Sequence, residues 1–139
     1  MQKKRRLLVN RKGINFALVR DCRSAWEVGR GLLGAEEPAI NENNLFEGVL
    51  LRIPAWRQKF SGLINSIHMI GMKYPISVFW ISDGIIVDKI LAVPGWHIYS
   101  SSHPASEVLE LPEAAFEKLN IGDSLKISET DCSISTRMK

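Results

Sequence analysis

Asp83-Gly84 stands between two runs of β-branched residues, 76–81 and 85–93. No other feature constrains the fold as strongly. Both turn residues of a type I′ turn take positive φ, and Asp-Gly tolerates this better than almost any other pair. A two-residue turn predicts Ser82 opposite Ile85, Trp80 opposite Val87 and Ile76 opposite Leu91. One face of the hairpin then carries Ile76, Val78, Trp80, Val87 and Leu91. The other carries Phe79, Ile81, Ile86 and Ile90, with Ser77 and Asp88 beside them. Neither face is polar enough to meet water along its length, which predicts a hairpin covered on both sides, as in a sandwich.

The remaining segments are mostly strand-like. Residues 7–9 and 16–19 flank a polar loop, 10–13, that ends in glycine, and read as a first hairpin. Ser24 and Glu27 form a capping box for a short helix closed by Gly34. A strand over 49–53 stops at Pro54, and residues 107–111 are extended. Pro112 suits the first position of a second short helix over 114–119, and Leu125 and Ile127 mark a last strand. The alternation of strand and helix that marks parallel sheets is absent. The expectation is a mainly β fold, a compact antiparallel β-sandwich with two short helices. Residues 7–128 form its single domain, between a basic arm over 1–6 and a polar tail over 129–139.

Composition supports one domain and narrows its chemistry. The 139 residues are 45% hydrophobic and 24% charged, with two cysteines. A chain of this size buries enough surface to fold without disulfides or a metal. Cys22 and Cys132 lack CxxC spacing and read as ordinary thiols of a reducing compartment. Residues 61–82 are interrupted by Asn65, Lys73, Pro75 and two glycines, so no membrane span is expected. The apolar stretch at 7–9 is too short for a signal peptide, and a cytoplasmic location is expected.

The net charge of +3 hides an asymmetry. Residues 1–12 hold six bases and no acid, which leaves twelve bases against fifteen acids in the rest. The arm residues Lys3, Lys4, Arg5 and Arg6 read either as a solubilising tail or as a weak electrostatic contact for nucleic acid or an anionic surface.

Motifs with chemical meaning are few. Residues 29–34 spell GxGxxG, but at the end of the expected helix rather than between a strand and a helix, so no dinucleotide cofactor is expected. His68, His97 and His103 lack metal-site spacing, and neither a metal nor a cofactor is expected. Asp83 and Asp123 sit beside turn glycines, while Glu107 and Glu110 read as surface charges. No catalytic carboxylate pair emerges. Trp56, Trp80, Trp96, Tyr74 and Tyr99 read as core aromatics or as the lining of a ligand surface.

Residues 66–84, SIHMIGMKYPISVFWISDG, resemble the "IHTFGMRFPIDVVFLDRDG" signature of the family called domain of unknown function 192. Arg30 to Gly34 resemble its "RxxGLLGR" and residues 93–97 its "LPPWR". Residues 105–112 with 119–125 resemble its "AxxVLELPAG…LGIRPGDxL". The resemblance implies a small prokaryotic β-sandwich of jelly-roll type for which no general biochemical activity is established. Three features depart from the pattern: Ser77 replaces an aspartate, Ala35 replaces an arginine, and residues 54–65 look inserted. If that aspartate and arginine work as a pair, both are missing here. The reading is therefore a noncatalytic module for a small molecule or protein, its candidate surface at His68, Tyr74, Trp96 and His97. The alternatives are a small hydrolase or transferase near His68, Trp96 and His97, or a weak binder of acidic surfaces through the arm.

Overall fold

The computed structural model describes residues 6–22, 40–41, 43–54, 67–69, 72–96 and 98–129. The strands are β1 (Arg6–Arg11), β2 (Ile14–Cys22), β3 (Phe46–Arg52), β4 (Ile67–His68), β5 (Ile76–Ser82), β6 (Ile85–Ala92), β7 (Ile98–Tyr99), β8 (Glu107–Pro112) and β9 (Leu125–Glu129). The fold is mainly β. Seven strands form one mixed sheet in the order β6-β5-β8-β3-β2-β1-β9, and β4 pairs β7 in a separate two-stranded ribbon.

Local sterics account for the two tight hairpins. Lys12 and Gly13 join β1 to β2 with φ of 52° and 83°, and Asp83 and Gly84 join β5 to β6 with φ of 49° and 76°. Asn10 Oδ1 accepts the Gly13 N–H at 2.9 Å, which holds the first turn.

The β5–β6 register follows the expectation only as far as Ser82↔Ile85 and Ile81↔Ile86. A bulge between Trp80 and Ile81 then shifts it, so Trp80 faces Asp88 rather than Val87, and Ile76 faces Ala92 rather than Leu91. The slip exchanges the two faces of the rest of β6, because side chains alternate with a period of two. Ile90 joins Trp80 on one side, while Lys89 stands opposite Phe79 on the other.

Where two facing antiparallel sheets were expected, seven of the nine described strands form one curled sheet that includes a parallel pair. β2 and β3 run parallel, from Ala17↔Phe46 to Cys22↔Leu51. Parallel neighbours cannot be joined by a tight turn, and the chain between β2 and β3 supplies the long connection required. The curl brings the two ends of the sheet together at one corner. Ile85 bridges Ser124, Leu125 N–H donates to Gly84 O at 2.7 Å, and Ile86 N–H donates to Asp123 O at 3.0 Å.

Inside the curl, all seven strands contribute to one buried cluster that includes Leu7, Val19, Leu50, Phe79, Ile86, Leu109 and Leu125. The outer face carries a second cluster around Val49, Val78, Trp80, Val108 and Met69. The expectation of burial on both faces therefore holds, with a different geometry.

The first expected helix, over 24–34, lies outside the described residues. The second is a single 3-10 turn, Glu113–Ala115, entered from Pro112. Ser77, standing where the resemblance has an aspartate, donates its hydroxyl to the Pro112 and Glu113 carbonyls at 2.8 and 3.2 Å. Arg6 is the first residue of β1, and β9 extends to Glu129.

Candidate functional site

Two groups of residues stand out from the fold. The first is the ribbon of β4 and β7 with its flanking loops. Its register is Ile67↔Tyr99 and His68↔Ile98, so the IHM segment meets the segment that follows Trp96. The Met69 carbonyl gathers the turns around it, accepting the N–H of Met72 at 3.1 Å and of Gly95 at 3.5 Å. Tyr99 OH accepts the Val93 N–H at 3.1 Å, closing the loop between β6 and β7. Met69 is buried in the outer cluster, with Met72, Tyr74 and Tyr99 packed against that cluster.

After β7 the chain forms a strap tied to β6. Asp88 Oδ2 accepts the Ser101 hydroxyl and the Ser102 N–H, both at 3.3 Å, and Oδ1 accepts the Lys89 N–H at 3.0 Å. Ser101 Oγ accepts the His103 N–H at 3.0 Å. Asp88 reaches this role only through the bulge, which sets it opposite Trp80.

Of the residues singled out in the sequence, the structure brings the His68 backbone, Tyr74 and Trp96 to this end of the molecule. The side chain of His68 and all of His97 lie outside what is described, as do Trp56 and the arm residues Lys3, Lys4 and Arg5. Tyr74 is half-buried. Trp96 is 84% exposed, and Ile98 (58%) and Val93 (41%) are exposed near it. Trp80, by contrast, is buried in the core.

The second group was not recognised in the sequence. Arg52 of β3 donates Nε–H to Asp21 of β2 at 2.9 Å and Nη1–H to Glu107 of β8 at 3.1 Å. The three strands are neighbours, so a carboxylate stands on each side of one guanidinium. The Asp21 side chain is 1% exposed and that of Arg52 33%. Burial raises the Glu107 carboxyl above its ordinary value; Arg52 opposes this and Asp21 adds to it. Glu107 is therefore no free surface charge, and Glu110 is buried too. The sequence signal for the cluster was slight: Asp21 and Arg52 are charges near the ends of strands that also carry Arg20 and Glu47. Among the described residues no group of three or more metal-ligating side chains occurs. No helix among them is long and apolar enough to cross a membrane.

A family model described as DUF192, uncharacterized ACR, matches residues 10–127. Among solved structures, the chain is similar to a protein from Sinorhizobium meliloti 1021 described as a "putative transcription regulator". That match has a TM-score of 0.71 and 21% identity over 89% of this chain and 93% of that one. It is also similar to a protein of unknown function from Novosphingobium aromaticivorans DSM 12444. There the TM-score is 0.67, with 16% identity over 87% of this chain and 83% of the other. At these identities the likeness is one of fold. No curated protein matches the chain.

Proposed function

The chain belongs to the DUF192 family, and from that premise we propose that it is a noncatalytic binding domain that docks a protein segment on the ribbon around Trp96. The observation that carries the reading is an indole 84% exposed on a loop held by the Met69 carbonyl and the Tyr99 hydroxyl. A tryptophan held out by a fixed loop loses little freedom on binding, and buried tryptophans dominate interface energetics. Val93 and Ile98 extend the apolar surface beside it. The proposed surface takes in Tyr74 and, by their place in the chain, His68 and His97. In this reading the ribbon and the strap supply the second layer of a sandwich-like arrangement over the outer cluster.

Peptides selected from a random library for binding to the full chain test the proposal. They are expected to shift the Trp96 indole resonance, and Trp96→Ala is expected to weaken them at least about thirtyfold, as for an interface hot spot of about 2 kcal/mol. Selected peptides that bind Trp96→Ala unchanged would overturn the proposal. Turnover of simple ester or phosphoester substrates that is lost in His68→Ala would favour the hydrolase instead.

A further inference from the structure

Resting on that reading, we infer that the segment docked at Trp96 is acidic as well as apolar. Met72 and Gly95 both donate to the Met69 carbonyl, and each is followed directly by an exposed residue, Lys73 and Trp96. The shared acceptor therefore draws the backbones of these two segments together at the ribbon.

The charge around them is one-sided. Residues 67–75 and 93–104 contain no aspartate or glutamate, but hold Lys73 and all three histidines of the chain. Among the described residues the one carboxylate hydrogen-bonded to the strap is Asp88, and its oxygens are occupied by Ser101, Ser102 and Lys89 donors. Among the described residues Lys73 has no ion-pair partner. Within these two segments a partner's lysine or arginine thus finds no carboxylate, whereas its aspartate or glutamate finds the Lys73 ammonium. Electrostatic complementarity of this kind selects between partners more than it adds affinity. Nucleic acid is the less suitable acidic partner, because several phosphate contacts would need several cations and this surface offers one lysine beside aliphatic side chains.

The test uses two synthetic peptides with the same leucine-rich centre, one flanked by glutamates and one by lysines, and a single-stranded oligonucleotide. Each is titrated into the full chain while backbone and indole resonances are followed. The glutamate peptide is expected to shift Trp96, Lys73 and Ile98 and to bind about two- to fivefold tighter than the lysine peptide at low salt, the range of one exposed ion pair. Lys73→Glu should reverse that preference with the melting temperature unchanged, and high salt should erase it. Equal binding of the two peptides at Trp96, or preference for the lysine peptide, would overturn the acidic partner and leave the docking surface standing. Failure of both peptides to shift Trp96 would remove the surface itself. Tighter binding of the oligonucleotide at Trp96 would reassign the partner to nucleic acid.

Discussion

Arg52 is the residue on which the charges of three strands depend. Asp21 is almost wholly enclosed, and its ionised form is tolerable because the guanidinium lies 2.9 Å away. Arg52→Ala removes that guanidinium from beside the carboxylate. The expected loss is at the lower end of the roughly 3–5 kcal/mol seen when a buried pair is broken, since Arg52 is itself a third exposed. Urea unfolding measures it. Glu107 gives a pH signature of definite sign. Its folded pKa lies above the ordinary glutamate value, so between the two the native state binds more protons than the unfolded chain. Through this group, stability falls as pH rises across that window and is level below it. Melting temperatures of the wild type and Glu107→Gln across mildly acidic pH should differ by that slope, and parallel curves would contradict it. Gly48 is constrained by space instead. A Cβ there would stand 2.0 Å from the Glu110 carbonyl oxygen, so β3 and β8 could not keep their spacing. Gly48→Ala is expected to cost on the order of 1–3 kcal/mol or more, read by the same unfolding experiment.

Among the elements, β6 shows how one extra residue redistributes chemistry. After the bulge, Asp88 faces the strap and Lys89 faces the other way. Lys89 Nζ there donates to the Phe116 and Leu119 carbonyls at 2.9 and 3.1 Å, and lies 4.3 Å from the Phe116 ring centre. One strand thereby ties down a different loop on each face of the sheet. Asp88→Ala should release the strap while leaving the sheet paired. The expected result is faster amide exchange at Ser102 and His103, with a stability loss of about 1 kcal/mol because the two bonds are long. Equal acceleration throughout β5 and β6 would show instead that Asp88 supports the hairpin. The strap also joins β7 to β8, so its release should weaken peptide binding at Trp96.

At the scale of the whole molecule, the described residues close the sheet at one corner, where Gly84, Ile86 and residues 122–125 exchange backbone hydrogen bonds. The turn glycine is therefore also part of the seam between the first and last strands of the sheet. Gly84→Ala meets both a φ of +76° and the Leu125 carbonyl at 3.1 Å. It is expected to lower the melting temperature more than Gly13→Ala, which has the same handedness of φ but open space around it. The basic arm holds Lys3, Lys4, Arg5 and Arg6. Removal of residues 1–5 is expected to abolish any salt-sensitive binding to duplex DNA and to leave the melting temperature unchanged, as titrations at two salt concentrations would show.

What the sequence determined by itself was local. Asp83-Gly84 and Lys12-Gly13 set two hairpins because positive φ is a property of the turn residues and needs no distant partner. Apolar character on both faces of the central hairpin foretold burial on both sides, and the family wording placed the chain among its relatives. Tertiary structure decided the rest. The bulge after Trp80, the parallel pairing of β2 with β3 and the curl that joins Gly84 to Leu125 depend on which strands lie side by side, and many pairings satisfy the same alternation. The site divides along the same line. Trp96 was legible as an aromatic, but whether it fills the core or meets water depends on the Met69 carbonyl and Tyr99 hydroxyl that hold its loop. Asp21, Arg52 and Glu107 are scattered along the chain and become one cluster only because three strands bring them to the same end of the sheet. Local sterics act over two residues and are written in them. Strand partnership is settled by packing across the whole domain.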